Sequence, residues 1–175
     1  MAYDVDIVRR TGEAFFDLRA FGAGRPFLQF LALPAPLQPN SALVTDSACV
    51  YWLGERHWLL KVPTQIEAIW TERSESLGGA LGSLTCVTDV YAGFDLHGPD
   101  AHAVLAQATP LDLRLPACPI GSATFTEVFG QTGLLHRTGE ARFLLYVERS
   151  YADFIAAWLM AARRGRLPED AALRA

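Results

Sequence analysis

Four histidines are the residues of this 175-residue chain best suited to act as a base or a metal ligand. They are His57, His97, His102 and His136. None pairs with another at the i, i+4 spacing that presents two imidazoles on one helix face, and none lies in an HExxH motif. The spacing therefore predicts structural or surface roles for the histidines and no metal site.

Cys118, between Ala117 and Pro119, is the one candidate nucleophile. A loop thiol without an adjacent base is usually inert, so a thiol enzyme would need a base beside this loop. Cys49 and Cys86 lie in strand-like runs and are expected to be small core residues. Three widely spaced cysteines favour a reducing cytoplasm over a disulfide framework.

Glycine-rich segments and carboxylates add no further chemistry. No GxGxxG follows a strand, no GxxxxGK[ST] is present, and LGGALG at 77–82 is typical of a helix end followed by a turn. The aspartates in and near the second half are scattered, and no two of them are spaced for shared chemistry. They are Asp89, Asp95, Asp100 and Asp112. We therefore predict no catalytic, cofactor-binding or metal-binding residue in this chain.

The composition and net charge of the chain indicate which classes of partner to expect. Hydrophobic residues make up 51% and charged residues only 19%, against about 25% charged residues in typical soluble domains. Either the surface is neutral and alanine-rich, or part of it is covered in a complex. The net charge of −4 and the lack of a basic stripe predict no nucleic-acid partner. No signal-like or membrane-spanning apolar run occurs, so we expect a cytoplasmic protein without membrane contact.

A repeated decamer indicates how the chain is built. GERHWLLKVP at 54–63 and GEARFLLYVE at 139–148 are identical at five of ten positions. Alternation places Trp58, Leu60 and Val62 on one face of a strand, and the corresponding residues of the second copy likewise. We expect the core to include Trp58, Leu60, Phe143, Leu145, Phe154 and Trp158.

The flanks of the decamers also correspond. TQIE and SYAD follow the two copies and predict capping boxes at helix starts. The second helix, expected to end near Gly165, carries an apolar stripe of Tyr151, Phe154, Ile155, Trp158 and Leu159. Hairpins precede both decamers, and helices beginning near Pro26 and Pro99 follow extended apolar runs.

Each half is therefore predicted to be a strand, a helix, a hairpin and a helix. The fold class is α+β with internal duplication of this unit. We place the first repeat, with an N-terminal extension, at residues 1–80 and the second, with the C-terminal helix, at residues 81–175.

The connection LDLRLPACPI at 111–120 is unusually apolar for a loop. We predict that it contacts another subunit, through Leu111, Leu113, Arg114, Leu115 and Ile120. Flanking prolines limit the entropy lost on binding, and arginine suits a carboxylate on a partner. The alternative is that this run packs on the chain's own sheet.

The motifs VTDVYAGFDLHGPDAHAVLAQATPLDL and FTEVFGQTGLLHRTGEARFLLYVERSYADFIAAWL resemble the γ subunit of heterotetrameric sarcosine oxidase. FFDLRAFG and LGERHWLLKVP in the first half resemble it more loosely, and the likeness covers roughly residues 14–160. This resemblance implies a fold similar to the folate-binding domain of the glycine cleavage aminomethyltransferase, which is also built by duplication.

The resemblance further implies an accessory γ subunit of a flavin-dependent oxidase that demethylates sarcosine to glycine and passes the one-carbon unit to tetrahydrofolate. The chain itself would be non-catalytic. FAD, FMN, NAD, zinc and tetrahydrofolate would belong to the α, β and δ subunits, with the large α subunit as the main partner. The alternatives are a stand-alone folate-binding module and a γ-type subunit of a related N-methyl amino acid dehydrogenase.

Overall fold

The computed structural model describes residues 2–22, 24–77 and 81–165. In chain order the elements are β1 (Asp6–Arg10), β2 (Glu13–Ala20), α1 (Gly24–Phe30), β3 (Ala42–Val44), β4 (Cys49–Gly54), β5 (His57–Pro63), α2 (Glu67–Ser76), β6 (Gly82–Cys86), β7 (Tyr91–His97), α3 (Ala101–Leu105), β8 (Ala123–Val128), β9 (Gln131–Gly139), β10 (Arg142–Glu148) and α4 (Ala152–Arg163). Within this part of the chain, no helix is long and apolar enough to cross a membrane.

The chain divides into two compact units. The first unit comprises residues 10–91 and 121–124, and the second unit contains residues 2–9, 92–120 and 125–165. The first unit is built on a five-stranded sheet in the order β3-β4-β5-β2-β6, whose strand pairs are antiparallel. Its core lies on the face that carries Phe16, Trp58 and Leu60, against Phe27 of α1 and Trp70 of α2.

The second unit contains a five-stranded sheet in the order β8-β9-β10-β7-β1. Its core joins Phe94, Phe143 and Leu145 from the strands to Leu105 of α3 and Ile155 of α4. The faces predicted from alternation in the two decamers are confirmed, since Trp58, Leu60 and Val62 share one core and Phe143, Leu145 and Val147 the other. Leu59 and Leu144, on the opposite faces, are also buried.

The two sheets correspond strand by strand. β3, β4, β5 and β2 follow one another in the first sheet as β8, β9, β10 and β7 do in the second. The decamer hairpins have the same register, because Gly54 pairs with His57 and Gly139 pairs with Arg142. A strand, a helix, a three-stranded meander and a helix therefore follow in the same order in each unit.

The edge strand beside β2 or β7 comes from a different part of the chain in each unit. β6 lies beside β2 in the first sheet, whereas the N-terminal strand β1 lies beside β7 in the second. The observed division thus differs from the expected one at residues 1–80 and 81–175. Strand pairing, rather than order along the chain, determines the units, and residues 78–80 and 166–175 lie outside the described part. The glycines of LGGALG at 78 and 79 are among them.

The helix starts differ from the prediction of capping boxes. Thr64–Ile66 and Arg149–Tyr151 form single 3₁₀ turns before α2 and α4, and no described side chain caps these turns or the two helices. The side chain of Glu67 instead accepts a hydrogen bond from Thr88 Oγ1 at 2.8 Å. The Glu67 carboxylate, which the sequence predicts to cap the helix, is therefore bound by a neighbouring loop.

Helix α4 buries only part of the predicted stripe, Ile155 and Leu159. Ala152, Ile155, Leu159 and Ala162 face the core, and these small and aliphatic side chains fit close to a sheet. Phe154 and Tyr151 are exposed, so the prediction that Phe154 belongs to the core is wrong. The helix ends as expected, with Gly165 in the left-handed region at a φ of 64°.

Candidate functional site

The histidines lie in separate parts of the fold. His57 begins β5, His97 ends β7, His102 is exposed on α3 and His136 is buried in β9. Within the described residues, no three histidine, cysteine, aspartate or glutamate side chains are grouped to hold a metal ion. The four histidines thus lie on four different elements.

The three cysteines have different environments. Cys49 is buried, as predicted, and burial raises the pKa of its thiol. Cys86 is exposed, so its assignment to the core is wrong; its Sγ lies 3.4 Å from Glu67 Oε1. Cys118 is half-buried beside the core of the second unit.

The predicted partner segment, residues 111–120, divides into an inner and an outer part. Leu113 is buried in the core of the second unit and Leu111 packs against that core. Leu115 and Ile120 are exposed, with 45% and 53% of their surface accessible. Leu113 therefore packs internally, whereas Leu115 and Ile120 are available for an outside contact.

Arg114 is exposed and pairs with a residue of its own loop. Its Nε lies 2.8 Å from Asp112 Oδ1. Hydrogen bonds from the Arg114 side chain and its amide lower the pKa of Asp112 to about 2. The guanidinium already pairs with Asp112. To bind a carboxylate on another subunit, Arg114 would have to contact both carboxylates at once or leave Asp112.

Arg137, a buried residue of β9, fixes the shape of this connection. Its Nη1 donates to the carbonyl oxygens of Leu113 at 2.7 Å and of Cys118 at 3.0 Å. Its Nε donates to the carbonyl oxygen of Gly139 at 3.1 Å, and its guanidinium lies over the ring of Phe143 at 5.0 Å. One cation thus ties the loop to the hairpin and holds it in a single conformation.

A cluster of charges surrounds Asp17 in the first unit. Asp17 accepts hydrogen bonds from Arg19 Nε at 2.8 Å and lies 2.7 Å from His57 Nε2. Burial raises the pKa of Asp17, but the hydrogen bonds from Arg19 and His57 outweigh this effect and lower it overall. We call this group the first aspartate clamp.

The second unit contains a matching group around Asp95. Arg142 Nη2 lies 2.6 Å from Asp95 Oδ2, and His97 Nδ1 lies 3.6 Å from Asp95 Oδ1. Asp95, His97 and Arg142 form the second aspartate clamp. The sequence predictions missed both clamps, although FDLR at 16–19 and FDLH at 94–97 repeat ahead of the matched GERH and GEAR turns. That double repeat was the available signal.

A third polar group involves the only lysine of the chain. Lys61 Nζ and Arg10 Nη2 lie 2.9 Å and 2.7 Å from Glu13 Oε1. Burial raises the pKa of Glu13, while its bonds to Arg10 and Lys61 lower it and prevail. The group borders an open cavity of about 260 Å³.

Comparison with solved structures places this architecture in a known class. The fold is similar to a chain of the heterotetrameric sarcosine oxidase from Corynebacterium sp. U-96 in complex with pyrrole 2-carboxylate, with a TM-score of 0.82 at 23% identity. The match covers 91% of this chain and 83% of that one. The fold is therefore that of a subunit of this class of oxidase.

The glycine cleavage system aminomethyltransferase T from Bartonella henselae is also similar, with a TM-score of 0.70 at 16% identity. The chain is covered to 93% and spans about half of that protein, 47%. At these identities the likenesses concern the fold alone.

The sequence itself carries the assignment to a family. Residues 7–164 match the sarcosine oxidase, gamma subunit family. The chain therefore belongs to this family, and the resemblance seen in the sequence motifs is confirmed. No curated protein sequence gives a significant match.

Proposed function

We propose that this chain is the accessory γ subunit of a heterotetrameric sarcosine oxidase. The observation that carries the proposal is the family match over residues 7–164, and the fold shared with a chain of the Corynebacterium enzyme supports it. In this role the chain contributes no catalytic group and packs on other subunits, chiefly the large α subunit. A γ-type subunit of a related N-methyl amino acid dehydrogenase is the nearest alternative.

The complex would convert sarcosine to glycine in the cytoplasm and transfer the one-carbon unit to tetrahydrofolate. FAD, FMN, NAD, zinc and tetrahydrofolate would be bound by the α, β and δ subunits. In this complex the other subunits would supply the reacting groups, and this chain would supply a surface for assembly.

We further infer that the two units arose by duplication of one α+β unit. The same order of elements and of paired strands supports this origin. The matched hairpin registers and the two aspartate clamps support it independently, because these features depend on individual residues.

The partner surface is proposed to include the outer side of the connection, at Leu115 and Ile120. Arg137 holds this connection through the carbonyl oxygens of Leu113 and Cys118 before any partner arrives. A loop ordered in advance loses less entropy on binding, so exposed apolar groups on it contribute more fully to affinity. Leu111 and Leu113 would support this surface from within, and the exposed Arg114 would belong to its outer side.

The double variant Leu115→Ser, Ile120→Ser tests this surface. If the loop binds another subunit, the variant chain keeps its melting temperature but no longer co-purifies with the α, β and δ subunits. A matched control is Phe30→Ser, which changes an exposed aromatic side chain in the first unit. Normal assembly of the double variant would place the interface elsewhere.

Co-expression tests the function itself. The unaltered chain should be recovered with flavin-containing subunits that oxidise sarcosine, and omission of the chain should prevent stable assembly. A stable monomer that binds folate tightly and recruits no subunit would instead identify a stand-alone folate-binding module. Oxidation of a different N-methyl amino acid by the complex would identify the dehydrogenase-type relative.

A further inference from the structure

An apolar cleft in the first unit lies between the proline-rich connection and the β4–β5 hairpin. Trp52 and Trp58, which pair directly across the two strands, form part of its lining. Leu28, Leu37 and Pro39 complete the apolar lining of about 260 Å³. Trp58 Nε1 donates a hydrogen bond of 2.9 Å to the carbonyl oxygen of Pro36, which fixes the indole against the connection.

A polar groove adjoins this cleft. The groove has a volume of about 520 Å³ and is lined by Arg19, Phe21 and His57, together with Ala20 and Gly22. Both cavities include Glu55 and Arg56 in their lining. An apolar cleft and a groove that carries cationic groups therefore lie on either side of one turn of the hairpin and share two of its residues.

Arg56 adopts an unusual backbone conformation at this junction. Its φ is 65°, in the left-handed region where a side chain is disfavoured and glycine is usual. Its carbonyl oxygen accepts a hydrogen bond from Ala20 N at 2.9 Å, and its Nη1 donates to the carbonyl oxygen of Gly22 at 3.2 Å. Ala141, at the same place in the second hairpin, has no positive φ.

Of the two decamer hairpins, only the first therefore contains a non-glycine residue in the left-handed region. Residues in such conformations are concentrated at functional sites, because a glycine would be more stable where only the turn mattered. Within the described residues, Arg56 takes part in no ion pair, so its charge is directed to no carboxylate of that part of the chain.

We propose that the cleft and the adjoining groove together bind a small molecule consisting of a planar heteroaromatic ring that carries an anionic group. The ring would pack against the indole of Trp52 in the apolar cleft, where an aromatic surface gains from burial and offset stacking. The anionic group would lie in the groove beside Arg56, whose guanidinium matches a carboxylate or a phosphate. Arg19 and His57 line the same groove, where both contact Asp17.

An arginine in the left-handed region does not favour the stability of the hairpin, whereas a role in ligand binding accounts for its presence. Small-molecule sites are typically apolar clefts with a few polar groups that fix orientation, at volumes of about 300–1,000 Å³. The carboxylate of Glu55, at the shared turn, would favour a ring that offers an N–H donor. The proposal does not depend on the function of the complex, because it concerns residues of the first unit alone.

Binding is tested with the full chain and two anionic probes, folic acid and FMN, by isothermal titration calorimetry. Lumichrome serves as a ring without an anionic group, and glutarate as an anion without a ring. We expect at least one anionic probe to bind in the micromolar range, and the two partial probes to bind at least tenfold more weakly. Preference for folic acid or for FMN distinguishes a carboxylate ligand from a phosphate ligand.

Three variants locate the site. Trp52→Ala should weaken binding of the anionic probe at least tenfold. Arg56→Gly should do the same while keeping or raising the melting temperature, because glycine tolerates the left-handed conformation. Arg9→Ala, which removes a half-exposed arginine of the second unit, is the matched control and should bind the probe normally.

Three results would overturn the proposal. The first is that no probe binds below millimolar concentration, and the second is that binding is unchanged in both Trp52→Ala and Arg56→Gly. The third is that Arg56→Gly lowers the melting temperature and leaves binding intact, which would assign Arg56 a purely structural role. If the variants impair subunit assembly without any probe binding, the cavity is a docking site for a partner protein instead.

Discussion

The two aspartate clamps occupy the same place in the two units but exchange the positions of their arginine and histidine. In the first unit, the residue two positions after the aspartate is Arg19 and the hairpin residue is His57. In the second unit, the corresponding residues are His97 and Arg142. What is maintained is one carboxylate with one arginine and one histidine, although neither of the two keeps its position.

The exchange of the arginine and histidine positions shows that the fold requires a hydrogen-bond donor beside this carboxylate, not a particular residue type. A carboxylate on the strand β2 or β7 lies close to the first residue of the second hairpin strand, so the hairpin must supply a hydrogen-bond donor there. The clamps differ in burial, since the side chain of Asp95 is 7% exposed and that of Asp17 is 21% exposed. The arginine contacts the more buried carboxylate from the hairpin, where it forms two hydrogen bonds.

The largest expected effect concerns the cores that lie behind the two hairpins. Phe143→Ala should lower the free energy of unfolding by about 3–5 kcal/mol, because a fully buried aromatic side chain is lost. Trp58→Ala, at the matched position, should cost a similar amount and also leave the Pro36 carbonyl without its indole donor. Urea unfolding followed by circular dichroism measures both. A loss below about 1 kcal/mol for either would break the equivalence of the two hairpins.

The clamps themselves should differ in cost. Arg142→Ala should lower stability by about 1.5–3 kcal/mol, because a buried carboxylate loses a charged, two-point partner. His57→Ala should cost less, about 0.5–1.5 kcal/mol, since Asp17 is more exposed and retains Arg19. The exchanged double variant Arg19→His, His57→Arg should unfold at nearly the same urea concentration as the wild type. Equal costs for the two single variants would show that burial does not distinguish the clamps.

A smaller effect is expected in acid. The pKa of Asp17 is lower in the folded chain than its ordinary value of 3.8, so the folded chain binds this proton less readily than the unfolded chain. Its contribution to stability is therefore present above about pH 4 and is lost as the pH falls through the folded-state pKa. Asp17→Asn should flatten the stability profile below pH 4, as measured by urea unfolding at stepped pH. The same flattening in the exposed-loop control Asp46→Asn would remove Asp17 as the cause.

The smallest effect is expected on catalysis. Alanine at His57, His97, His102, His136 or Cys118 should leave the turnover of the reconstituted complex within about tenfold, because these residues form no shared group of base and nucleophile. Sarcosine-dependent oxygen uptake measures this, with folding checked by melting temperature. A thousandfold loss in any one folded variant would reveal an active site in this chain.

Local patterns predicted the local structure well. The alternation in the decamers, the helices near Pro26 and Pro99, and the end of α4 at Gly165 are all present. Each of these features is determined by residues within about ten positions of one another. Of the predicted contact residues, Leu115 and Ile120 are exposed and Leu113 is buried. Whether the segment contacts a subunit stays a prediction.

The missed features depend on distant residues. The pairing of β1 with β7 joins segments more than 80 residues apart, and no periodicity in either strand specifies it. The carboxylate of Glu67 was assigned to a helix cap, but Thr88 on a following loop takes its hydrogen bond. In α4, the predicted stripe includes both Ile155 and Phe154, but only Ile155 is buried. The hydrophobic periodicity of the sequence does not distinguish between these alternatives.

The exchange of edge strands has a consequence for synthesis on the ribosome. β1 is made before its neighbour in the sheet, β7, which begins at Tyr91. At about 5–20 residues per second, β1 is complete several seconds before that neighbour exists. The strands of the first sheet all lie within residues 13–86, so all of them are made before β7. The nascent chain therefore carries β1 unpaired until β7 is made, and chaperones that bind extended segments would have access to it during this interval.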